Sequence, residues 1–96
     1  MESRPKFTTA NVTLTNADTW YPLPAISVGD GCEVVIKSKA GNTGAIKVAH
    51  DDADSKVAPF LLDNPGDSVS LRIKGTTQIV LSSSVAGQVV EVITEQ

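Results

Sequence analysis

From Ser68 to Lys74 apolar and polar residues alternate at every position, with Val69, Leu71 and Ile73 on one parity and Ser68, Ser70, Arg72 and Lys74 on the other. A β-strand sends successive side chains to opposite faces, so this run can bury one face and hydrate the other. On a helix the same residues would scatter around the axis. The pattern recurs along the chain at intervals of about ten residues. Val12 and Leu14 alternate with Thr13 and Thr15, Val34 and Ile36 with Lys37 and Lys39, and Ile46 and Val48 flank Lys47. Runs at 77–82 and 88–94 complete the set, although the adjacent Val89 and Val90 leave the inward face of the last run open by one residue. Runs 20–23 and 57–62 are shorter. Each holds a proline, Pro22 or Pro59, which cannot donate to a ladder and so suits an edge strand.

Turn residues separate these runs. Asn16-Ala17-Asp18, Gly29-Asp30-Gly31, Gly41-Asn42-Thr43-Gly44, Asn64-Pro65-Gly66-Asp67 and Ala86-Gly87 each lie between alternating segments. Pro65-Gly66 matches the central pair of a type II turn, in which proline presets one φ and glycine supplies a positive one. Helical periodicity is confined to residues 51–56, room for one turn at most. The expectation is all-β: a single small β-sandwich, jelly-roll-like in winding, with seven or eight short antiparallel strands. Residues 1–9 read as an extended N-terminal arm, because Pro5 and the charges of Glu2, Arg4 and Lys6 precede any alternation, and residues 10–96 as the sandwich domain.

Ninety-six residues suffice for one thin core. That core should be aliphatic, since hydrophobic residues are 41% of the chain but aromatic ones only 4%. Trp20, as the one large ring, is expected in the core, with Tyr21 on the opposite face. The longest apolar stretch falls far short of the roughly 20 residues of a membrane span, and a cytosolic site of synthesis is expected. Cys32 is the sole cysteine, so the fold needs no internal disulfide, and it reads as a small side chain at a strand entrance. A net charge of −3 opposes nucleic-acid binding. Lys37, Lys39, Lys47, Arg72 and Lys74 fall on the solvent parity of their strands.

His50 is the one histidine, and Gly-x-Ser-x-Gly does not occur, which argues against a nucleophilic triad. Asp51, Asp52 and Asp54 form the densest carboxylate cluster. Ser55, Lys56 and Val57 follow where a calcium loop would need further oxygen ligands, a glycine and a distal glutamate, so a solvated acidic loop is expected. Gly41-Asn42-Thr43-Gly44 joins two strands and opens no helix, unlike a phosphate-binding loop. No enzymatic activity, cofactor or metal is expected.

The succession VTLTNADTWYPLP, EVVIKSKAGNTGAIKVA, DNPGDSVSLRI and QIVLSSSVAGQVVEVITE resembles small auxiliary proteins encoded in the structural gene blocks of tailed bacteriophages. The resemblance spans nearly the whole chain and rests on Asn16-Ala17-Asp18-Thr19-Trp20-Tyr21, Asn42-Thr43-Gly44 and Pro65-Gly66-Asp67-Ser68-Val69. It implies a virion structural protein on the capsid surface, a decoration or cementing protein of the head, bound to the major capsid protein and assembled as a homo-oligomer, most simply a trimer. A carbohydrate-binding or host-surface-binding sandwich is the other reading, because such modules share the architecture. Ring stacking on sugars calls for several exposed aromatics, of which few are available here. Arg4, Lys6 and Phe7 are the expected capsid or subunit contacts: two cations within an acidic chain, then an apolar anchor.

Overall fold

The computed structural model describes residues 7–26, 28, 33–73 and 75–95. Eight strands and one short helix follow in the order β1 (Phe7–Leu14), β2 (Tyr21–Pro22), β3 (Val34–Ser38), β4 (Ile46–His50), α1 (Ala53–Val57), β5 (Phe60–Leu62), β6 (Ser68–Leu71), β7 (Ile79–Ser82) and β8 (Gln88–Glu95). They form two four-stranded antiparallel sheets, β1-β8-β3-β6 and β2-β7-β4-β5. First pairs with last, second with seventh, third with sixth and fourth with fifth. The chain is thus one long folded-over hairpin rolled across two sheets, which is the jelly-roll winding. The expected small all-β sandwich is the observed fold.

Turn chemistry positions the rungs. Gly66 has φ +90°, and Asp67 N–H donates to Asn64 O at 3.0 Å, as the type II turn requires. The same turn locks onto β3, since Gly66 N–H donates to Ser38 O and Asp67 O accepts from Ser38 N–H. The loop after β3 reaches β8. Lys39 N–H donates to Val89 O at 3.1 Å, and Val89 N–H donates to Asn42 Oδ1 at 3.0 Å, so an amide side chain supplies a further rung where β3 has ended. Gln88, buried beneath that loop, accepts from the N–H groups of Thr43 and Gly44 through one oxygen.

The core is aliphatic. Leu14, Val34, Ile36, Ile46, Leu81 and Val90 are all fully buried between the sheets, each worth about 1.5–3 kcal/mol by transfer from water. In β8, Val90, Val92 and Thr94 turn inward and Ile93 outward, which settles the ambiguity at Val89 and Val90. Two expectations need correction. Strand β1 begins at Phe7 and pairs it with Glu95, so Phe7, Thr8 and Thr9 belong to the sheet rather than to an arm. Residues 1–6 lie outside the described residues. Trp20 is only partly buried and stands outside the core cluster, because it lies in the link between the Asn16-Ala17-Asp18 turn and β2 and is not bound by strand alternation. Tyr21 packs against that cluster instead, and its hydroxyl accepts from Asn16 N–H at 2.9 Å.

Candidate interaction surface

Strands β5 and β6 are the edges of the two sheets at one side of the sandwich, with three and four residues against eight in β1 and β8. Strands this short do not close the gap between the layers. A cleft of about 790 Å³ opens there. Val69, Leu71 and Ile73 line one wall, and Val48, Phe60 and Ile79 line the other. This explains why the most regular alternation in the sequence yields only half-buried inward residues: Val69 and Leu71 face a partly uncovered space.

Phe60 shares the inward parity of the buried Leu62, yet is 57% exposed, since β6 does not extend over it. Leu61, on the outer face opposite Lys47, is 46% exposed. Val57, at the end of α1 and next to the cleft-lining Ala58, is 84% exposed. Phe60 and Leu61 thus leave this edge strand apolar and exposed on both faces, and exposed apolar groups of this kind mark candidate association sites.

Polar groups gather at the mouth of the cleft, where His50 closes β4 and Ser55 lies on α1. His50 Nδ1 lies 2.7 Å from Asp52 Oδ2, and Asp52 Oδ1 accepts from Ser55 N–H at 2.7 Å, capping the helix. The Ser55 N–H, and after it the His50 ring, hold the Asp52 carboxyl below the usual carboxylate range. Ser55 Oγ accepts from the His50 backbone N–H at 2.8 Å, with no bond to the imidazole. A nucleophile relay would need the hydroxyl on the ring, so this geometry caps a helix turn and leaves Ser55 unactivated. Asp51 pairs with Lys56 at 2.9 Å. Among the described residues no three His, Cys, Asp or Glu side chains group as a metal site.

Of the residues expected to make external contacts, Phe7 alone is described, and it lies elsewhere. Phe7, 66% exposed, opens β1, at the other edge of its sheet from β6. Arg4 and Lys6 lie outside the described residues, as do Cys32 and Lys74. Lys37, Lys39 and Arg72 are exposed, and Lys47 is partly so. Lys37 meets Glu91 across the β3–β8 pair at 3.5 Å, and Arg72 meets Glu33 at 3.3 Å, ordinary surface ion pairs of small energetic weight. Sequence reasoning did not single out Phe60 or Val57. Its available signal was the unbroken apolar triplet Phe60-Leu61-Leu62, which departs from period two.

No protein-family model matches the chain, and no curated protein sequence matches it. Among solved structures the chain is similar to the SPBc2 prophage-derived protein YomS, with a TM-score of 0.58 and 21% sequence identity. The match covers 100% of this chain and 98% of that one. At this identity the likeness is one of fold, and it spans nearly the full length of both molecules.

Proposed function

We propose that this chain is a non-enzymatic structural protein of a bacteriophage particle, a decoration protein seated on the outer surface of the head. The observation that carries the reading is the end-to-end match in fold with a prophage-derived protein, in a chain whose motifs resemble phage structural proteins. A compact jelly roll suits the role, because rigid elements can be added in many copies to a lattice without further folding. Arg4, Lys6 and the exposed Phe7 are the proposed contacts with the major capsid protein, and Phe7 opens the β1 edge of its sheet. The chain acts as a homo-oligomer, with a trimer as the expected form on the shell.

Mass spectrometry of purified particles tests the role, together with labelling by electron microscopy using an antibody to the chain. The expected result is a stoichiometric virion component on heads. Absence from particles sinks the virion reading, and labelling confined to tails sinks the decoration role. A chain carrying Arg4→Ala, Lys6→Ala and Phe7→Ala should keep its strand dichroism but add to undecorated heads at reduced occupancy. Full occupancy would move the attachment site elsewhere on the sandwich.

A further inference from the structure

We infer that the free edge of β1 pairs antiparallel with β1 of a second copy of this chain, joining the two β1-β8-β3-β6 sheets about a two-fold axis. Among the described residues the sandwich has four strand edges, and three are blunted by shortness. Strand β2 has two residues, one of them Pro22, β5 has three and β6 four. Strand β1 has eight, with no charge and no proline. A long uncharged edge is a template for pairing, which proteins otherwise guard with lysine, proline or brevity. The ladder shows what this edge offers. Lys39 N–H donates to Val89 O and Glu95 N–H to Glu33 O, so the odd residues of β8 turn their backbone toward β3. The even ones turn toward Thr8, Ala10, Val12 and Leu14, their partners in β1. Phe7, Thr9, Asn11 and Thr13 therefore present N–H and C=O outward, and among the described residues these groups meet no partner.

Such an edge calls for an extended strand, uncharged and alternating in the same way, and β1 of a second copy is one. A two-fold axis through Ala10 sets Phe7 against Thr13, Thr9 against Asn11 and Thr8 against Val12, so exposed side chains meet exposed ones and half-buried meet half-buried. The four outward-facing residues of each strand then exchange about eight backbone hydrogen bonds. Ala10 falls where the strands come closest, and its small side chain fits there. The added strand also covers Ala10 and Val12, which the bare edge leaves half-buried. Charge does not oppose the contact, although the chain carries −3. Glu91 and Glu95 lie one strand in, on β8, so three strand spacings, about 14 Å, separate them from β8 of the copy, beyond a Debye length of about 8 Å. This is a pair contact, separate from the trimer expected on the shell.

Sedimentation equilibrium from about 10 to about 500 µM tests the pairing on the full chain. The weight-average mass should rise from 10.0 kDa toward twice that value. Asn11→Pro removes an outward N–H and no bond to β8, so it should keep strand dichroism and weaken association by about tenfold or more. Asn11→Lys leaves the backbone intact and guards the edge with a cation; it should act alike, and it decides the matter if the proline variant misfolds. With Cys32→Ser removing the native thiol, Ala10→Cys should form a covalent dimer under mild oxidation, because Cα atoms about 4.5 Å apart lie within disulfide reach. A native chain that stays at 10.0 kDa overturns the inference, and so does a mass that climbs to three times that value, which a two-fold edge pair cannot produce. Folded Asn11→Pro and Asn11→Lys chains that associate like the native one would place the contact elsewhere and overturn it too. A dimer whose Ala10→Cys form fails to cross-link refutes the pairing through Ala10. Mass in solution requires no shell, so the result is independent of particle binding.

Discussion

Replacing Asn42 with alanine should cost the fold about 2–4 kcal/mol, a large effect for one partly buried loop residue. Its amide makes three hydrogen bonds: Nδ2 donates to Ser38 Oγ at 2.9 Å and to Val89 O at 2.7 Å, and Oδ1 accepts from Val89 N–H at 3.0 Å. Three bonds at a typical net contribution of about 0.5–1.5 kcal/mol each give about 1.5–4.5 kcal/mol, which brackets that range. What is left behind keeps the loss from the low end. Val89 O keeps Lys39 N–H as a partner, but Val89 N–H loses the acceptor shown here, and an unsatisfied buried group costs about 1–3 kcal/mol. At about 4–8 °C per kcal/mol for a domain of this size, the melting temperature should fall by roughly 8–32 °C. Urea unfolding followed by the fluorescence of Trp20, the sole tryptophan, would measure it. Asn42→Asp should be no milder, because it keeps an acceptor for Val89 N–H but turns a carboxylate oxygen toward Val89 O. A loss below about 0.5 kcal/mol for Asn42→Ala would show that the β3–β8 ladder does not depend on this side chain, and would refute the reasoning.

Thr94→Val should stabilise the fold by about 1 kcal/mol in the same assay, since Thr94 Oγ1 is buried without a hydrogen-bond partner and a methyl group has the same shape; destabilisation would mean that the hydroxyl is bonded in solution. Gly44→Ala should cost about 1–3 kcal/mol, because its Cβ would lie 2.6 Å from Val85 Cγ2 and 2.8 Å from Val85 Cβ. Adding Val85→Ala should recover part of that loss in a thermal melt, and no recovery would place the strain elsewhere. The depressed Asp52 carboxyl contributes stability that is fully present above its ordinary value of about 3.9 and is lost as pH falls through the lower folded value. Carbon-detected NMR titration should therefore find the Asp52 midpoint below that of a free aspartate, and Asp52→Asn should raise the acid limb of the stability curve less than it disturbs α1. An unshifted midpoint would show that the Ser55 cap does not persist in solution.

Strand existence, turn type and edge character were legible in the sequence because each depends on neighbours a few residues away. Ser68-Val69-Ser70-Leu71 alternates because a pleated ribbon has period two, Gly66 follows Pro65 because a type II turn needs a positive φ there, and Pro22 lies in a two-residue edge strand where a missing donor costs nothing. Asp51, Asp52 and Asp54 likewise read as a loop from their spacing, although only the structure shows Asp52 closing a helix cap.

Tertiary structure alone decided that β6 lies at an edge and how far each inward face is covered. Val69 and Leu71 carry the same pattern as Val34 and Ile36, yet the first pair is half-exposed and the second fully buried. The difference lies in residues far away in the chain: β3 is flanked by β6 and β8, whereas β6 ends its sheet opposite a β5 of three residues. Periodicity records the direction a side chain points, but coverage depends on what the rest of the chain places above it. Phe60 is the clearest case. It points inward by strand parity and remains exposed because long-range pairing brought no second layer over that position.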